Sequence, residues 1–459
     1  MADARNDFSK GSIPKAIMGL ALPMTAAQLV NVLYSVVDRI YLGRLPGSGD
    51  LALTGLGLTM PIISILMAFA NLCGMGGSPL CSIHRGKGEN DEAEKVMGNS
   101  FTLLLLLGAV CTVGFLLAKG PVLRLFGASD QTFPFANEYL TIYLCGTLFV
   151  MISLGMNPFI NSQGFGRIGM LTVILGAAVN IVLDPIFIFL LHMGAGGAAL
   201  ATVIAQGCSA AWVLKFLLGK KAILRLKWEN LRLGARRVRR IIALGLSGFF
   251  MNMTNSLVQI VCNKMLSIYG GDLYVGIMTI INSLREVFFM PVHGLNNGAQ
   301  PVMGFNFGAG RPDRVRQCIR FSVGLTVGYS ALMWLVTMLL PGPLIRIFSD
   351  DANTLAFGVV PLRIYFALFL FMSLQIAGQA VFVGLGRSKN AVFFSLLRKA
   401  IINAPLTVLL PLLGLGTNGV FIAEAASQFF GGLACITTMY FVVYRPLGRE
   451  LAAMPERLE

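Results

Sequence analysis

The chain carries twelve apolar runs, each of a length that crosses a bilayer as a helix, which takes roughly 20 residues. Six lie near 14–43, 51–77, 96–118, 136–160, 168–192 and 196–219. A polar, basic stretch follows at 220–240. Six more runs lie near 241–268, 273–301, 320–341, 361–384, 391–413 and 417–444. Only 12% of the residues are charged and 56% are hydrophobic, which excludes a water-soluble domain. The predicted fold is an all-α polytopic membrane protein with twelve transmembrane spans.

The net charge of +15 would suggest a nucleic-acid partner if the charges lay together. They sit instead in short segments between apolar runs, as the positive-inside rule requires. With the N-terminus inside, the inner segments are the N-terminus, 78–95, the turn at Arg167, 220–240, 302–320, the turn at Arg387 and Lys389, and the C-terminus. The outer loops hold Arg44, Lys119, Arg124 and Arg346. Both termini are therefore expected in the cytoplasm, with 220–240 as a cytoplasmic linker. No aromatic platform accompanies the basic stretch, so no nucleic-acid partner is expected. The eight cysteines form no C-x-x-C pair, and Cys73, Cys145, Cys262 and Cys435 lie in apolar runs, so neither disulfides nor a zinc site is expected. The polar N-terminus has no cleavable-signal pattern, and the run from Ile17 is too long for a signal core.

The two halves repeat. G-M-G-G-S-P-L-C-S-I-H-R-G-K-G-E-N-D (74–91) matches N-N-G-A-Q-P-V-M-G-F-N-F-G-A-G-R-P-D (296–313). Gly76, Pro79, Gly86, Gly88 and Asp91 fall on Gly298, Pro301, Gly308, Gly310 and Asp313. F-G-R (165–167) matches L-G-R (385–387), and Gly194, Gly197 and Gln206 fall on Gly416, Gly419 and Gln428. Six spans per half is an even number, so the halves should run parallel about a pseudo-two-fold axis along the membrane normal. This gives an N-lobe (1–219), the linker (220–240) and a C-lobe (241–459), with substrate between lobes and alternating access by rocking.

Within the fifth run, A-A-V-N-I-V-L-D-P-I-F-I (177–188) places Asp184 deep in apolar surroundings. A carboxylate at such a depth costs about 2.5–3.5 kcal/mol on insertion scales and is functional by default. Asn180 lies one turn earlier on the same face. Pro185 removes an N–H and should loosen the helix there.

V-D-R-I-Y-L-G (37–43), the repeated P-x6-G-x-G loops, N-x-x-x-D-P at 180–185 and G-A-Q-P (298–301) together resemble the multidrug and toxic compound extrusion (MATE) family over nearly the whole chain. The resemblance implies a two-lobed antiporter exporting amphipathic, often cationic compounds in exchange for protons or sodium. It implies an ion-coupling set of Asp38, Asn180, Asp184 and Thr202, which would also ligate sodium, with Tyr34 and Asn157 completing the N-lobe network. Two carboxylates sharing a site would titrate as one unit. The seventh and tenth spans carry no carboxylate, unlike another branch of the family, so the pattern is similar to the DinF-like bacterial branch. No cofactor is expected beyond the coupling ion. A bacterial cytoplasmic (inner) membrane, small organic substrates and a monomer are expected.

The second half has further buried charges. Glu286 and Arg398 either pair across helices or, with Arg285 and His293, line a C-lobe cavity that contacts a zwitterionic or anionic substrate. Lys264 and Lys399 are expected to snorkel to an interface. His293 reads as a core residue before a proton relay. A lipid-linked precursor flippase and an exporter of a zwitterionic or anionic metabolite are alternative functions. The short loops offer no acid, base or metal cluster for a membrane enzyme. No G-x-x-x-x-G-K-[ST] loop occurs, so energy must come from an ion gradient or another chain.

Overall fold

A computed structural model describes residues 6–45, 49–349 and 351–452. The extreme termini, expected inside the cell, lie outside the described residues. The main helices are α1 (Ile13–Gly43), α2 (Gly49–Gly86), α3 (Asn90–Leu125), α4 (Phe133–Cys145), α5 (Thr147–Ser162), α6 (Gly166–Pro185) and α7 (Gly194–Leu218). They continue as α8 (Ala235–Gly308), α9 (Pro312–Leu339), α10 (Pro341–Arg346), α11 (Ala352–Phe366), α12 (Phe369–Gly384), α13 (Ser388–Leu396), α14 (Ala404–Leu410), α15 (Gly416–Met439) and α16 (Arg445–Ala452). Large apolar side chains such as Leu117, Val110 and Leu190 are exposed on the outside, as lipid contact demands.

Among the described residues, helix boundaries resolve into twelve spans once length is considered. The 74 residues of α8 would run about 110 Å if straight, against a hydrocarbon core of about 30 Å. They break at Gly271, whose φ of 66° leaves the helical region. Helical structure over Ser388–Arg449 breaks likewise at Gly414 and Gly416. The pairs α4–α5 and α11–α12 each make one bent span, with bends of 58° and 42°.

The helices outrun the apolar runs. Residues 78–86, 90–95, 302–308 and 312–319, expected in inner loops, are helical. Hydropathy marks where lipid begins, whereas a helix continues into water while its backbone bonds remain satisfied. The repeat is visible in the backbone too: Gly88, Gly164 and Gly194 have positive φ, as do Gly310, Gly386 and Gly416, at one constant spacing. That register places Gly164 on Gly386, so laying F-G-R on L-G-R is a slip of two residues. A short motif with two common residue types cannot fix its own phase.

The chain divides into two compact units. One comprises Met1–Asp7 and Leu22–Gly245, the other Phe8–Ala21 and Leu246–Glu459. The core of the first gathers Leu42, Leu66, Tyr139, Leu140 and Leu144. The core of the second is aromatic, with Phe366 and Phe369 rings 5.3 Å apart and Phe289 4.9 Å from Phe369.

The basic stretch is not a loose tether. Its first part is bound to α3 of the first unit. Buried Asn99 donates to the carbonyls of Asn230 (3.3 Å) and Arg232 (3.0 Å) and accepts from the Gly234 amide (2.7 Å). Thr102 donates to Leu231 O, and Glu94 accepts from the Arg225 amide. Glu92 takes Arg237 bidentately at 2.7 and 2.9 Å. Lys227 meets Glu94 at 2.6 Å, and that bond holds the ammonium pKa above its ordinary value. Asn99→Ala strands three backbone groups, each worth about 1–3 kcal/mol if left unsatisfied. We expect a lowered unfolding temperature in detergent together with faster proteolysis within 224–234. A wild-type cleavage rate in the variant would contradict this docking.

Candidate functional site

The first unit brings Asp38 of α1 to Asp184 of α6. Both are buried, Asp38 at 9% exposure and Asp184 at 0%, and the two carboxyls are close enough to act on each other electrostatically. Helical rotation turns Arg39 to the exposed side while Asp38 faces inward. Asn180, 1% exposed, donates to Asp184 Oδ1 at 3.1 Å across one turn. The α-helix ends at Pro185 and Ile186–Leu190 winds as a π-helix, so the loosening expected at this proline occurs. Such local rewinding recurs at functional sites.

Three oxygens of this set have no partner: Asp38 Oδ1, Asp184 Oδ2 and Asn180 Oδ1. Buried polar atoms are nearly always satisfied, so three orphans at one place call for a ligand, a proton or an ion. Tyr34 lies one turn before Asp38, close enough for its hydroxyl to feel both carboxylates. Thr202 of α7 lies beside Tyr139 of α4, whose hydroxyl also feels Asp38. Tyr139 stacks on Tyr143, with ring centroids 6.2 Å apart. Sequence reasoning missed Tyr139, since a tyrosine in an apolar helix gives no signal of which side its hydroxyl serves.

Asn157 is not brought to this set. Its Nδ2 donates to Gly169 O at 3.2 Å. Gly169 precedes Asp184 on α6 by a rise of roughly 22 Å.

The second unit corrects several expectations. Glu286 is exposed and does not pair with Arg398. The partner of Arg398 is Glu424 of α15, at 3.4 Å. Lys399 does not snorkel; it is buried and donates to Glu424 Oε1 and Oε2 at 2.9 and 3.0 Å. Asn403 also donates to Glu424 Oε2, and Thr407 donates to Asn403 Oδ1 at 2.8 Å. Leu397–Asn403 forms a π-helix, and within it both basic residues and Asn403 are buried. Arg285 donates to the Tyr365 hydroxyl at 3.3 Å. His293 packs 5.8 Å from the Phe289 ring.

Comparison with known proteins places these sites in a wider frame. The MatE family model matches residues 23–186 and 248–409. The multidrug export protein MepA of Staphylococcus haemolyticus (strain JCSC1435) is 26% identical over 439 residues, covering 95% of this chain and 94% of its own. MepA of Staphylococcus aureus (strain N315) is 24% identical over 440 residues, covering 95% of each. The solved structure of MATE in the bent conformation aligns with a TM-score of 0.90 at 22% identity, covering 96% of this chain and 98% of that one. An outward-facing multidrug resistance MATE transporter of the MOP superfamily aligns with a TM-score of 0.88 at 21% identity, covering 97% and 98%. With both repeat halves matched by the family model and the fold shared end to end, the chain belongs to the MATE (MatE) family of membrane transporters.

Proposed function

We propose that this chain is a secondary exporter of small amphipathic organic compounds, chiefly cations, in a bacterial cytoplasmic membrane with both termini inside. Export is driven by protons or sodium through Asp38 and Asp184, and the lobes alternate access by rocking. The observation that carries this reading is the pair of buried carboxyls, one on each of two membrane-spanning helices, with an unpartnered oxygen on each. The MepA relatives are multidrug export proteins by name, which supports the substrate class.

A cationic compound is attracted to the charged pair. A proton neutralises the pair directly. A transported sodium ion would find oxygen ligands at Asp38, Asn180, Asp184 and Thr202, the hard donor type such an ion takes. Either event removes the attraction and releases the compound. Proteoliposomes with pH and sodium gradients imposed separately test the coupling. Efflux of a cationic dye should follow one gradient. Dye binding to purified protein should weaken as pH falls or as sodium rises, and the Asp38→Asn/Asp184→Asn variant should lose that dependence. A dependence that survives intact in the double variant moves coupling elsewhere.

A further inference from the structure

The two units carry opposite charge at matched places. Gly164, Gly194 and Gln206 fall on Gly386, Gly416 and Gln428 with no change of spacing. Asn180 and Asp184 then fall on Ile402 and Leu406, while Thr202 falls on Glu424. The first unit has two buried carboxyls with Arg39 turned outward. The second has Arg398 and Lys399 buried, Arg285 half-buried beside them, and Glu424 as the carboxylate that meets them. One buried carboxylate faces three cations, with Glu286 exposed next to Arg285, so the buried part of the cluster carries an excess of positive charge. Isolated buried charges of this kind are rare unless a counter-charge joins them.

Glu424 cannot supply more. Its Oε1 already accepts from Arg398 and Lys399, and its Oε2 from Lys399 and Asn403. Unused donors remain nearby. Arg398 Nε, on a residue 5% exposed, has no partner. The stem of Arg398 lies along Gly431, 3.0 Å from where a Cβ would sit. Gln428 stands between Gly431 and Glu424 on that face of α15, fully buried, and neither polar atom of its side chain has a partner. Gln206, its counterpart, accepts from Ser153 at 2.5 Å. Gln375 stands where Ser153 would, and it gives its amide to Phe394 O instead. An amide and one edge of a guanidinium are thus left open in a positively charged interior. Nε and the adjacent terminal N–H of arginine form the fork that grips a carboxylate.

We propose that the second unit contains an anion site at Arg398 and Gln428, supported by Arg285, which takes a singly charged anion. An organic carboxylate fits the fork, and chloride is the competing inorganic source of the same charge. The site is separate from Asp38 and Asp184, and its readout is binding rather than export, so failure of the coupling reading leaves it standing.

The test is equilibrium dialysis of the purified full chain against radiolabelled benzoate and radiolabelled chloride. Saturable binding of one anion per chain is expected. Benzoate displaced by chloride indicates an organic ligand at the shared site, and chloride binding alone confines the site to small inorganic anions. Gln428→Leu and Arg398→Gln should each weaken binding by about tenfold or more. Glu424→Gln should tighten it, because the competing carboxylate is gone; a purely structural cluster would not respond in that direction. If Arg398→Gln or Glu424→Gln elutes as aggregate, Gln428→Leu and Arg285→Gln decide, since neither breaks a Glu424 bond. No saturable binding of either anion by the wild type overturns the proposal. So does wild-type affinity in both Gln428→Leu and Arg285→Gln.

Discussion

Asp184→Asn should reduce gradient-driven export to the passive leak while leaving an inserted, folded protein. The side chain keeps its size, and its oxygen can still accept from Asn180 Nδ2, as Asp184 Oδ1 does at 3.1 Å. What disappears is the ability to alternate between charged and neutral forms. On the proposed mechanism a cationic compound and a coupling ion compete for that charge, so a fixed neutral group removes the exchange itself rather than tuning it. A loss of at least about a hundredfold in coupled rate is expected, in line with the removal of an essential proton-transfer group. The measurement is dye efflux from proteoliposomes under the gradient that drives the wild type, with size-exclusion elution as the folding control. Normal efflux under that gradient would remove Asp184 from the coupling step.

Gly245→Val should prevent the first unit from folding. A Cβ at Gly245 would meet the Leu72 carbonyl oxygen at 2.0 Å. One turn away, a Cβ at Gly76 would meet the Ile241 carbonyl oxygen at 2.2 Å. The crossing of α2 with the start of α8 is therefore backbone against backbone, the close approach that small residues permit between membrane helices. A clash with a flexible side-chain tip can relax, but here a carbonyl inside a helix would have to move. Overpacking typically costs about 1–3 kcal/mol, and more where the neighbour, as here, is helix backbone that cannot give. Gly114→Ala is the matched control, since nothing lies within 4 Å of its Cβ position. The control should elute as wild type and unfold at the same temperature or higher, helped by alanine's helix propensity. Folded, monodisperse Gly245→Val would show that the two helix backbones do not meet at Gly245.

Particular residues show what the sequence could and could not reveal. The twelve spans were legible because lipid demands long apolar runs, and Asp184 stood out because an acid inside such a run has few bland explanations. Asn180 followed from helical periodicity alone. Asp38 required the family resemblance, since an acid next to Arg39 near the end of an apolar run can also be explained by a local pairing. Tyr139 was silent for the reason that aromatic side chains are common in these helices. The choice of Glu424 over Glu286 as the partner of the basic pair was hidden in the sequence. Adjacent helical residues point about 100° apart, so periodicity alone does not say that Arg398 and Lys399 both turn inward, and nothing in the local composition announces the π-helix over Leu397–Asn403. The helix ends were misjudged for a different reason: hydropathy stops at the headgroups while backbone hydrogen bonding does not.

The segment held by Asn99, Glu92 and Glu94 also bears on how the protein is made. Synthesis proceeds from the N-terminus, and domains tend to fold as they emerge. Every partner of that clamp lies at or before Arg237. A nascent chain that has just released Arg237 can therefore fasten it before any later span has left the ribosome. The reach of the next helix into the membrane would then start from a fixed point beside α3, and its insertion would be guided by a segment that is already fastened.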